Sequence, residues 1–142
     1  MSNSEIMKTL EQIFQSEVAG MNRYLHYSFM IMGHNRIPIQ KWLRDQAVEA
    51  MNHATTIGEK ITSYEGHPPI TGPNVEESNV HTIDQILKES LGFEERGVEL
   101  YKRLAQQAEE AKDYALEELA REFIRTETEH VEEVKKMLRS PN

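Results

Sequence analysis

The sequence predicts an all-α protein: four antiparallel helices in one bundle, with a single long crossover between the second and third. Three observations predict it. The apolar residues recur at helical spacing along most of the 142 residues, and no stretch alternates as a half-buried strand does. Proline and glycine cluster in one mid-chain stretch, Gly66-His67-Pro68-Pro69 followed by Thr71-Gly72-Pro73-Asn74. Elsewhere the links are short, which makes sequential helices antiparallel neighbours.

The first helix is predicted from about Glu5 to Met32, with Ser2 and Glu5 spaced as a capping box and the turn GHNRI ending it. The second begins near Pro38, a good first-turn residue, and runs to about Tyr64. The third follows Thr82, whose partner three residues on is Gln85, and reaches about Glu109. The fourth spans about Asp113 to Leu138. Helices of about 25 residues are about 38 Å long, so the mid-chain connection must run the length of a bundle. A chain of this size builds one domain, residues 1–142, with a real core.

Composition narrows the chemistry. There is no cysteine, which removes disulfides, thiolate metal sites and thiol nucleophiles, and fits a reducing cytoplasm. The formal charge of −8 argues against electrostatic binding to nucleic acid or anionic membranes. No apolar run approaches a membrane span, and the N-terminus has no signal-peptide pattern. A cytoplasmic location is expected.

The inward stripes carry ligand-type residues where leucines are expected. The first helix reads Ile6, Leu10, Ile13, Glu17, Gly20, Tyr24, Ile31. The second reads Ile39, Trp42, Gln46, His53, Ile57, Tyr64; the third Ile83, Leu87, Ser90, Glu94, Gly97, Tyr101, Leu104. The fourth reads Leu116, Leu119, Phe123, Glu127, His130, Val134, Met137. A buried carboxylate without compensation costs several kcal/mol. No lysine or arginine lies on these stripes near mid-helix; Arg23, Arg96 and Arg125 neighbour them and are expected to point elsewhere. Divalent cations compensate such a set, since carboxylate oxygen and neutral imidazole suit iron, manganese or zinc. Glu127 and His130, three apart, share one helical face. Tyr24 and Tyr101 lie two turns beyond inward glutamates, in reach of a ligand carboxylate.

Spacing gives an independent check. Glu17 and His53 are separated by 36 positions, as are Glu94 and His130. A shift of 77 superposes Glu17 on Glu94, Tyr24 on Tyr101 and His53 on His130, which predicts a pseudo-twofold site between two hairpins. The same shift sets Ala50 against Glu127.

On the stretches SEVAGMNRYLHYSFM, EAMNHATTIGEKITSYEGHP, ESLGFEERGVELYKRL and REFIRTETEHVEEV, the chain resembles a bacterioferritin over nearly its whole length. The resemblance implies the ferritin-like four-helix bundle and a di-iron centre within each subunit, where Fe(II) is oxidised by dioxygen or peroxide before ferric storage. It implies that Glu17 and His53 are terminal ligands of one iron, that Glu94 and His130 are those of the other, and that Glu127 bridges. The second bridging carboxylate of that pattern falls on Ala50, which has no donor atom. Two outcomes are open. Glu49, about 40° from His53 around the helix, substitutes as a ligand; or one iron is held weakly and the site is altered or holds a single metal.

Met51 points about 200° away from His53, out of the core. Val18, Met21, Leu25, Phe29 and Met32 form a second, outward apolar stripe on the first helix, which predicts a homodimer face. The resemblance offers haem there, with Met51 from each subunit as ligand. The family's usual fifth helix has no counterpart after RSPN, so a 12- or 24-subunit shell is an open expectation beside the dimer. Three functions therefore compete: ferroxidase and iron storage, a rubrerythrin-like peroxide reductase supplied by a separate electron donor, and a non-catalytic haem- or metal-binding dimer.

Overall fold

The computed structural model describes residues 2–70, 72 and 74–141, with Ser2 described in its backbone only. The Ser2–Glu5 capping box, and Thr71, Pro73 and Asn142 of the predicted loops, lie outside the described residues. Four helices form among the described residues: α1 (Ser2–Met30), α2 (Arg36–Ser63), α3 (Ile83–Glu110) and α4 (Tyr114–Leu138). Among the described residues there is no strand. The chain divides into two compact units, Phe14–Ile86 and Met1–Ile13 with Leu87–Asn142.

In the unit Phe14–Ile86, α1 and α2 are joined by a tight turn. Gly33 there has φ +96°, a conformation costly for any side-chain-bearing residue, and Arg36 N donates back to Gly33 O at 3.2 Å. The Arg36 guanidinium caps the carbonyls of Phe29 and Ile31 at the end of α1. The helix stops at Met30 rather than at the expected Met32. Tyr24, Tyr27, Ile31, Leu43, Ile57 and Ile61 are fully buried, and Tyr24 meets Trp42 edge to face at 6.2 Å. Burial of each leucine or isoleucine among them stabilises by about 1.5–3 kcal/mol.

The buried face of α2 differs from the predicted stripe. His53 and Ile57 are buried as expected, but Ile39, Trp42 and Gln46 are half-buried and Tyr64 is exposed. The face instead runs through Leu43, Ala47, Ala50, Ala54 and Ile61. Small residues set it because α1 packs closely. A Cβ added at Gly58 would lie 3.2 Å from the Phe14 ring. Arg23 also departs from expectation. It is buried, and its guanidinium donates to the Tyr27 hydroxyl at 2.8 Å, one turn further along α1.

In the other unit the start of α1 packs with α3 and α4. Ile6, Leu10, Leu87, Leu104, Leu116 and Val134 are buried, and Tyr101 meets Phe123 edge to face at 5.2 Å. Arg103 on α3 donates to Gln12 on α1 at 3.0 Å. The N-termini of α3 and α4 are capped by side chains: Thr82 Oγ1 accepts from Gln85 N at 3.2 Å, and Asp113 Oδ1 accepts from Leu116 N at 3.2 Å.

Candidate metal centre

Glutamate reaches the middle of α1 and α3 in register with large apolar residues, one or two turns apart, that are held in the core. Those neighbours fix the carboxylates inward at 6 % exposure for Glu17 and 4 % for Glu94. His53 and Glu127 are equally enclosed, at 7 % and 5 %.

Within Phe14–Ile86, His53 Nδ1 lies 2.8 Å from Glu17 Oε2. The opposite ring nitrogen, Nε2, lies 3.7 Å from Glu49 Oε1, and the Glu49 side chain is about one-third exposed. The two carboxylates therefore flank the imidazole on different edges. Ala50, one turn before His53, is buried and presents only a methyl group.

In the other unit, Glu94, Glu127 and His130 bring one donor atom each within 4.8 Å of one another. His130 Nδ1 is 3.4 Å from Glu127 Oε2 and 4.0 Å from Glu94 Oε2. The two groups share a design: each histidine turns Nδ1 toward the glutamate 36 positions before it. Met51 is 47 % exposed, on the outer side of α2.

The donor set fits a transition metal. Ionised carboxylates only accept hydrogen bonds, and a neutral imidazole protonated on Nε2 presents its Nδ1 lone pair in the same direction. Oxygen and imidazole nitrogen together suit iron, manganese and zinc. When Nδ1 ligates, Nε2–H is left to donate outward, and Glu49 stands on that side of His53.

The sequence reading found every member of these two groups. It missed a third cluster, His26, Glu77 and His81, whose donor atoms also lie within 4.8 Å of one another. Only the i,i+4 spacing of Glu77 and His81 hinted at it, inside a segment read as a plain connection.

The model of the ferritin-like domain family matches residues 7–141. A ferritin-like, diiron-carboxylate protein from Bacillus anthracis str. Ames superposes with a TM-score of 0.93 at 20% identity, over 98% of this chain and 99% of that one. Rhodobacter capsulatus bacterioferritin, solved with a metal-free dinuclear site and a haem iron, superposes with a TM-score of 0.85 at 19% identity, over 95% of this chain and 84% of that one. No curated protein matches the sequence. The fold is thus the ferritin-like antiparallel four-helix bundle with one long crossover between α2 and α3, and the chain belongs to the ferritin-like domain family.

Proposed function

We propose that this chain is a bacterioferritin-like iron protein that oxidises Fe(II) and passes ferric iron to storage. In this reading residues 1–142 act as one domain, and the Glu17–His53 and Glu94–Glu127–His130 groups each hold one iron of a di-iron centre. The observation that carries it is the repeated geometry, a buried glutamate with a histidine Nδ1 turned toward it, in both units. When bound, the two irons supply two electrons, enough to reduce one dioxygen, with two protons, to hydrogen peroxide.

The chain's own residues set affinity and geometry. Glu17, Glu94 and Glu127 bring three negative charges, which match most of the charge of two Fe(II) ions and disfavour an empty site. Burial excludes bulk water from these carboxylates and strengthens their hold on a cation. Glu49, 3.7 Å from Nε2 of His53, faces the ring edge opposite Glu17 and biases its orientation, a supporting role for which its place on the outer edge argues. That leaves the position of Ala50 without a protein ligand, so the iron at Glu17 and His53 is the weaker one. The test is Fe(II) oxidation in air, followed by ferric absorbance. Wild type is expected to exceed the protein-free rate, and Glu127→Ala to fall to that rate.

A second reading has its own observation. Leu25, Phe29, Met32, Val48 and Met51 are all exposed on the unit Phe14–Ile86, at 42 % to 70 %. Such a patch favours a homodimer face, where Met51 and its symmetry mate would ligate haem. Added haem is expected to give a Soret shift typical of sulfur ligation, lost in Met51→Ala. A haem-binding dimer with no iron oxidation would favour the non-catalytic alternative.

A further inference from the structure

The crossover carries a cluster that neither group of the candidate centre uses. Glu77 leaves the connection and faces His26 on the outer side of α1 and His81, two residues before α3. His26 Nε2 lies 3.0 Å and His81 Nε2 3.1 Å from the same atom, Glu77 Oε1. The two imidazoles stand edge to face, 6.0 Å between centroids. Glu77 Oε2 is occupied separately, accepting from Asn79 N at 2.8 Å. The backbone at Asn79 is left-handed, with φ 62°, and folds the segment back so that Glu77 and His81 meet.

We propose that His26 Nε2, His81 Nε2 and the Glu77 carboxylate form a surface site for a divalent cation of zinc type, which clasps the crossover onto α1.

Three features support it. Two neutral imidazoles and one carboxylate are a donor set that zinc takes with an open fourth position for water. Ligand atoms about 2.0–2.1 Å from a tetrahedral ion are about 3.4 Å apart, and the observed 3.0 and 3.1 Å need only a small expansion. The third feature is access with order. His26 is 47 % exposed, so an ion can enter, while Glu77 and His81 are 14 % and 22 % exposed and held in place.

Both oxygens of the carboxylate are already engaged by donors, Oε1 by the two imidazoles and Oε2 by the Asn79 amide. Without metal, each Nε2–H donates to Oε1. On binding, each neutral ring moves that proton to Nδ1 through solvent and presents the Nε2 lone pair. No oxidation is involved, and the ring protons are conserved.

The test counts zinc per chain by equilibrium dialysis in wild type and in His26→Gln/His81→Gln. The glutamines retain amide donors for Glu77, so the clasp's hydrogen bonds and the fold survive; circular dichroism checks this. The double variant is expected to bind one zinc fewer per chain. In wild type the Nε2 nitrogen resonances of His26 and His81 are expected to shift as zinc is added. Equal zinc counts in the two proteins, or zinc uptake with both imidazole resonances unmoved, would overturn the site and leave a hydrogen-bonded clasp only. Neither readout depends on iron oxidation, so the result stands apart from the proposed ferroxidase.

Discussion

Ala50 occupies the buried face of α2 with nothing but a methyl group, one turn from a histidine that faces a carboxylate. Ala50→Glu is therefore expected to act in two opposite ways. Without metal it adds a carboxylate to a closed face, which costs several kcal/mol and lowers Tm. With Fe(II) it supplies the missing donor, restores Tm and raises affinity for the weaker iron by tenfold or more, on the order of the effects that ligand surroundings exert. Calorimetry with and without Fe(II) checks both signs. Glu49→Ala separates its two roles. As the outward support of His53 it changes iron affinity by about 10–100-fold and keeps the number of irons; loss of one iron equivalent would instead make it a ligand. Which edge of His53 meets Glu49 was not legible in the sequence. Helical phase places a side chain on a face to within tens of degrees, but the distinction between Nδ1 and Nε2 is a matter of rotamers.

The helix ends show how much local chemistry fixes an element. α2 and α3 finish alike. Gly66 N bonds Ile61 O at 2.8 Å and Glu65 N bonds Thr62 O at 3.0 Å; Asp113 N bonds Ala108 O at 2.9 Å and Lys112 N bonds Glu109 O at 3.0 Å. These are Schellman ends, yet the left-handed residues are Glu65 at φ 66° and Lys112 at φ 58°, not glycine. Lys112→Gly is expected to stabilise the protein by about 1 kcal/mol, since a Cβ in that region costs 1–2 kcal/mol and glycine's added chain entropy offsets part. Asp113→Ala, which removes the α4 cap, is expected to destabilise by about 1 kcal/mol. Thermal denaturation reads both as shifts of a few degrees in opposite directions. Helix number and order were legible because the periodicity is long and the Gly/Pro cluster single. The buried face of α2 was not, because Ala47, Ala50 and Ala54 carry little hydropathic signal while Trp42 and Tyr64 carry much. The His26–Glu77–His81 cluster escaped for a related reason: no periodicity indicates how an irregular segment folds back on a helix.

At the scale of the molecule, the exposed apolar face and the buried donors call for different experiments. No helix among the described residues is long and apolar enough to cross a membrane, so the exposed Leu25, Phe29, Val48 and Met51 are not explained by a spanning segment. Under the dimer reading, Phe29→Glu is expected to convert the protein to monomer in sedimentation, with little effect on fold because the position is half-exposed. The repeat of Glu17 and His53 in Glu94 and His130 was legible as spacing alone, and the structure adds the common direction of Nδ1. The measurement that bears most directly on the account is an anaerobic Fe(II) titration followed by oxygen, made on His26→Gln/His81→Gln so that the surface cluster takes no iron. One tightly bound iron per chain, a second bound more weakly, and ferric formation faster than in the protein-free control are expected. No saturable Fe(II) binding, with oxidation at the control rate, would contradict the proposed function.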